Sequence, residues 1–143
     1  MQTVKGKSVL DQAVAGKLRF CRLAPPRPQP HPALHPREEA ARFAQAQRLA
    51  VLDLAALYDR ASRQIGEETA SIFAIHAMLL EDNDFEQSVH RIIREEETCA
   101  EWAVWKTGGR LASTFTTMDN LYMRARAGDI RDITYRVIWH LRG

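Results

Sequence analysis

Residue types that could do chemistry gather in one stretch, ETASIFAIHAMLLEDNDF over residues 68–85, where a histidine, a methionine and clustered carboxylates interrupt an apolar run. On a helix, Ala70, Phe73, Ala77 and Leu80 form one stripe. Ile72, Ile75, His76 and Leu79 form a second stripe, and Met78 belongs to neither. A helix that is apolar on two faces either sits at the centre of a small bundle or leaves one face outside. Charges at both ends of this one favour the surface. The second stripe would then be a ridge for a partner protein, with Met78 as an adaptable contact. The reading in which both stripes are core stays open. Two substitutions would separate the readings: Leu79→Asp should spare folding and abolish docking, whereas Phe73→Asp should unfold the domain.

The other candidates for chemistry carry less. A helical metal site built on His76 wants a second ligand three or four positions away, yet residues 72, 73, 79 and 80 are Ile, Phe, Leu and Leu. His31 and His35 lie in a proline-rich stretch and read as solvated, while His90 and His140 sit among charged residues and read as surface groups. Cys99 falls in a first helical turn, where a thiol pKa can drop, but no histidine accompanies it in sequence, so a structural thiol is expected. Trp102, Trp105 and Trp139 read as packing residues. Arg124, Arg126, Arg131 and Arg136 read as a solvated face paired with Asp129 and Asp132, a phosphate role for Arg126 staying open. Gly108 and Gly109 lie inside a helical pattern, which argues against a phosphate loop. No nucleophile–base pair, metal cluster or nucleotide motif is formed, so neither catalytic residues nor a cofactor are expected in this chain.

The elements that position the stretch follow from punctuation. All six prolines lie between Pro25 and Pro36, so residues 24–36 read as an extended linker. Before it, KLRFCRL over residues 17–23 alternates like a half-buried strand, and a strand without a partner needs a sheet elsewhere. Residues 1–23 are therefore expected to belong to another subdomain, or to pair with a second molecule in a homodimer. From residue 37 to 143 there is no proline and little glycine. The apolar spacing predicts helices over about 37–64, 67–80, 83–93, 98–118 and 119–141. Asn83 with Glu86, Thr98 with Glu101, and Asp119 are the expected starts of the last three. The fold class is mainly α, a bundle of helical hairpins preceded by one orphan strand and a proline-rich linker.

Composition agrees: among 143 residues, 45% hydrophobic and 27% charged is ordinary for a globular protein, and no apolar run could cross a bilayer. Two cysteines in dissimilar segments suggest free thiols and a cytoplasmic location. No Lys or Arg lies between Arg63 and Arg91, where Glu67, Glu68, Glu81, Asp82, Asp84 and Glu86 fall. An acidic middle speaks for a basic protein partner and against nucleic acid.

The run Gly66-Glu67-Glu68, Ile72-Phe73, His76 and Met78-Leu79-Leu80-Glu81-Asp82 resembles the N-terminal domain of enzyme I, the phosphoenolpyruvate–protein phosphotransferase of the bacterial sugar phosphotransferase system. A second block agrees: Met118-Asp119-Asn120-Leu121-Tyr122, Arg126-Ala127, Asp129-Ile130-Arg131-Asp132-Ile133 and the closing Leu141-Arg142-Gly143. The resemblance implies a helical subdomain that docks the phosphocarrier protein HPr. By motif position its docking residues would be Glu67, Glu68, His76, Met78, Leu79, Asp82, Phe85, Met123 and Arg126. It further implies a leading strand that joins an α/β subdomain. The family's phosphorylated histidine lies there, in a G-G-x-T-S-H motif that these 143 residues lack. The phosphoenolpyruvate- and magnesium-binding barrel is likewise implied only for a full-length parent. A non-catalytic adaptor that keeps the docking face for another regulator is the alternative.

Overall fold

The structure, a computed structural model, describes residues 25–143. The strand expected at residues 17–23 lies outside them. Five helices follow in order: α1 (Pro36–Ile65), α2 (Glu67–Leu80), α3 (Asn83–Glu96), α4 (Ala100–Thr116) and α5 (Leu121–Arg142). α1 pairs with α2 and α4 with α5 as two hairpins, α1 also packs on α5, and α3 bridges α1 to α4. The core is continuous across all five helices. Phe43 and Leu54 of α1 meet Leu80 of α2, Phe85, Val89 and Ile93 of α3, Val104 of α4, and Ile133, Val137 and Ile138 of α5.

Local chemistry sets the boundaries. Pro36 opens α1 at a position where its missing N–H is not needed. Gly66 alone separates α1 from α2, at φ 105°, a conformation that side chains rarely tolerate. Two helix starts differ from expectation by one residue. Asp82, not Asn83, caps α3, its Oδ2 accepting from Asp84 N at 3.0 Å and Phe85 N at 3.4 Å. Asn120, not Asp119, caps α5, its Oδ1 accepting from Tyr122 N at 2.7 Å. Adjacent Asp and Asn residues are all competent caps, so sequence cannot rank them.

The Thr98–Glu101 box does not form, because partners from other segments take both side chains. Thr98 Oγ1 donates to His31 O at 3.3 Å. Glu101 accepts two hydrogen bonds from Arg42, at 3.2 and 2.8 Å. The orphan N–H of Ala100 instead donates to Glu39 Oε1 at 2.8 Å, so α1 caps α4. Burial would push the Glu101 carboxyl up, but the hydrogen bonds from Arg42 and the backbone outweigh it and hold the pKa below the ordinary value.

Residues 25–35 of the proline-rich stretch are laid along the bundle. Ala33 N donates to Glu97 O at 2.8 Å and Cys99 N to His31 O at 2.9 Å. Arg27 lies over the Trp102 ring, and Arg142 donates to Pro26 O at 2.8 Å. Extended proline-rich backbone makes no internal hydrogen bonds, which leaves its carbonyls for such partners. His90 and His140 are half-buried rather than free surface groups. His90 meets Phe43 edge-on, and His140 Nε2 lies 2.6 Å from Asp53 Oδ2.

α4 runs unbroken through Gly108 and Gly109. A Cβ at Gly108 would fall 2.0 Å from Thr134 Oγ1 and 2.9 Å from Thr134 Cβ, so the glycine is where α4 and α5 approach most closely enough to exclude a side chain. Gly108→Ala is expected to cost about 1–3 kcal/mol through overpacking, more than the helix propensity of alanine returns. Chemical denaturation checks this, with Gly109→Ala, which meets open space, as the control that should not destabilise.

Candidate functional site

The acidic and apolar stretch forms α2, and its faces differ from the two-stripe expectation. Ala70 and Leu80 are buried, and Phe73 and Ala77 pack against the core. The proposed outer stripe is not free. Ile72, Ile75 and Leu79 are half-buried, Leu79 packing on the core cluster, and His76 is only 7% exposed. Both Leu79 and Phe73 touch core, so aspartate at either site would disturb the fold, and that pair of substitutions does not separate docking from packing. Gln47 Nε2 donates to Leu80 O at 2.7 Å, tying the end of α2 to α1.

His76 is buried because α5 supplies its partner. Its Nε2 lies 3.1 Å from Asp129 Oδ1. A carboxylate can only accept, so the Nε2 proton faces Asp129. The other oxygen of Asp129 accepts from Arg126 Nη1 at 2.9 Å. Arg126 also donates to the Tyr122 hydroxyl, and its guanidinium lies 4.5 Å from the centre of the Tyr122 ring. The hydrogen bond to Asp129 leads in holding the Arg126 pKa above its ordinary value. A line of polar contacts therefore runs from the start of α5 inward to the middle of α2.

The residues expected at the site fall into three groups. Glu67, Glu68, Met78 and Asp82 are exposed, Met78 at 70%, while Asp82 also serves as a helix cap. Leu79, Met123 and Arg126 are half-buried. His76 and Phe85 are buried, and Phe85, 1% exposed and beside the Phe43 ring, is a core residue with no surface to offer a partner. Exposed Leu121 and Tyr122 extend the apolar surface at the start of α5. Asp129, expected only as a partner of nearby arginines, is the residue that joins His76 to Arg126. The i,i+3 spacing signals its pairing with Arg126. No local signal marks its pairing with His76, which lies on a different helix.

Among the described residues there is no nucleophile–base pair, and no helix is long and apolar enough to cross a membrane. What the fold presents is a helical module whose exposed acidic and methionine-bearing helix is braced from behind by a second helix. The chain belongs to the PEP-utilising enzyme, N-terminal, family, whose sequence model matches residues 5–126. It is 40% identical over 105 residues to a phosphoenolpyruvate-protein phosphotransferase of Bacillus sp. (strain S), covering 73% of this chain and 18% of that protein. It is 35% identical over 132 residues to the phosphoryl donor subunit DhaM of a PEP-dependent dihydroxyacetone kinase from Pantoea ananatis, covering 92% of this chain and 28% of that one. Among solved structures, an enzyme I structure determined by NMR superposes with a TM-score of 0.75 at 29% identity, over 80% of this chain and 47% of that one. The N-terminal domain of a nitrogen-type enzyme I gives 0.76 at 27%, over 81% and 48%. The chain thus spans a minor part of the curated relatives it matches, and the likeness to enzyme I read from its two motif blocks is shown.

Proposed function

We propose that this chain is the helical docking subdomain of an enzyme I-like phosphoenolpyruvate–protein phosphotransferase, and that it binds an HPr-like phosphocarrier for phosphoryl transfer between two histidines held outside it. The observation that carries the reading is the exposed surface of α2 and the turn after it, where Glu67 and Glu68 of α2 and Asp82 of the turn lie on either side of Met78 in the chain. Carboxylates around a flexible apolar contact suit a partner whose face is basic and apolar. Arg126, fixed by Asp129 and Tyr122, offers a rigid guanidinium at the edge of the same helix pair. His76 contributes by holding Asp129, not by direct contact. Positioning is most of what such a transfer asks of residues outside the reacting groups. Phosphoenolpyruvate and magnesium would be handled by other parts of the parent, which would act in the cytoplasm.

One relative that matches 92% of this chain is a kinase phosphoryl donor subunit, which favours as a second reading the same docking role within a protein of that kind. Titration of isotope-labelled chain with HPr, followed by NMR, tests docking. Shifts should cluster on Glu67, Glu68, Met78, Leu79 and Arg126. A folded chain with no shifts would turn the reading to an adaptor with another partner.

A further inference from the structure

We propose that His76, Asp129 and Asp132 form a binding site for one divalent cation of the zinc class. One donor atom from each residue lies within 4.8 Å of the other two. His76 comes from α2, and Asp129 and Asp132, one turn apart, come from α5, so helix packing sets the spacing and no loop must fold around the ion. The 3.1 Å between His76 Nε2 and Asp129 Oδ1 fits two ligands of a shared ion, since bonds of about 2.0–2.2 Å place neighbouring ligands roughly 3 Å apart.

Asp132 gives the site its open side: it is exposed, and no hydrogen bond or ion pair given for the described residues engages its carboxylate. Two carboxylates one turn apart beside an imidazole give three donors close enough together to share one ion. Arg126 holds the outer oxygen of Asp129, orienting that ligand in the way supporting hydrogen bonds do around metal sites.

Imidazole with two carboxylates suits zinc and its neighbours, whereas magnesium and calcium prefer all-oxygen shells. Three protein ligands leave a fourth position open. On binding, the ion takes the place of the Nε2 proton between His76 and Asp129; Nε2 gives its proton to solvent as Nδ1 takes one up, so the imidazole binds as the neutral Nδ1–H tautomer. Asp132 is not among the docking residues, so Asp132→Asn tests the site apart from the docking reading.

Calorimetric titration of the whole chain with zinc chloride in a non-chelating buffer at neutral pH tests it. One saturable site is expected, with at least tenfold (~10–100-fold) weaker binding in Asp132→Asn and in His76→Gln, and none of comparable strength for magnesium chloride. Asp132 is exposed and unpaired, so its variant should fold normally even if the His76 variant does not. The absence of saturable zinc binding would overturn the proposal. So would unchanged affinity in Asp132→Asn, or binding that is lost only in Cys99→Ser, which would place the ion near His31.

Discussion

Replacing Phe85 with alanine costs the domain about 3–5 kcal/mol and leaves any contact with a partner untouched, except through the loss of folded molecules. The ring is 1% exposed, lies 6.3 Å from the Phe43 ring at a tilt of 50°, and sits in one cluster with Val89, Ile92 and Ile93. Truncation removes that apolar surface from the core and leaves a cavity that the flanking helices close only in part. Domains of this size have stabilities of about 5–15 kcal/mol, so the loss is a large fraction of the whole. Urea unfolding followed by tryptophan fluorescence measures it, with the midpoint falling and the slope unchanged. A midpoint equal to that of the parent chain, together with weaker HPr binding, would return Phe85 to the docking face and refute its placement in the core.

Met78→Lys has the opposite signature. Met78 is 70% exposed, so the substitution should move stability by no more than about 0.5 kcal/mol. It should weaken the proposed HPr binding by at least about tenfold, because it removes the apolar centre of an acidic face and puts a positive charge opposite the basic partner that the docking proposal requires. The titration that tests docking measures this too, read as a dissociation constant, with thermal melting as the folding control. Unchanged affinity in a folded variant would exclude Met78 from the interface. The two substitutions together replace the Leu79 and Phe73 pair, both of whose members lean on the core.

The helices themselves were legible in the sequence because the signals that start and stop them are local. Pro36 and Gly66 bound α1 in the chain as they do in space, and the apolar spacing of Phe85, Val89, Ile92 and Ile93 marks the buried face of α3 correctly. The two motif blocks were enough to place the chain in its family.

The site was less legible. Motif position treated Met78 and Phe85 alike, yet one is exposed and the other is core, and a list of residues carries no burial. Sequence alone determined which segments are helical and where the negative charge gathers, because helical period, breakers and charge are properties of neighbouring residues; the family came from the resemblance of two motif blocks. Only the tertiary structure decided that His76 is withdrawn onto Asp129, that Glu39 and Arg42 of α1 take over the start of α4, and that Gly108 yields its space to Thr134. Those choices depend on how helices are rotated and set against one another. That arrangement is fixed by the packing of the whole core, not by any single segment.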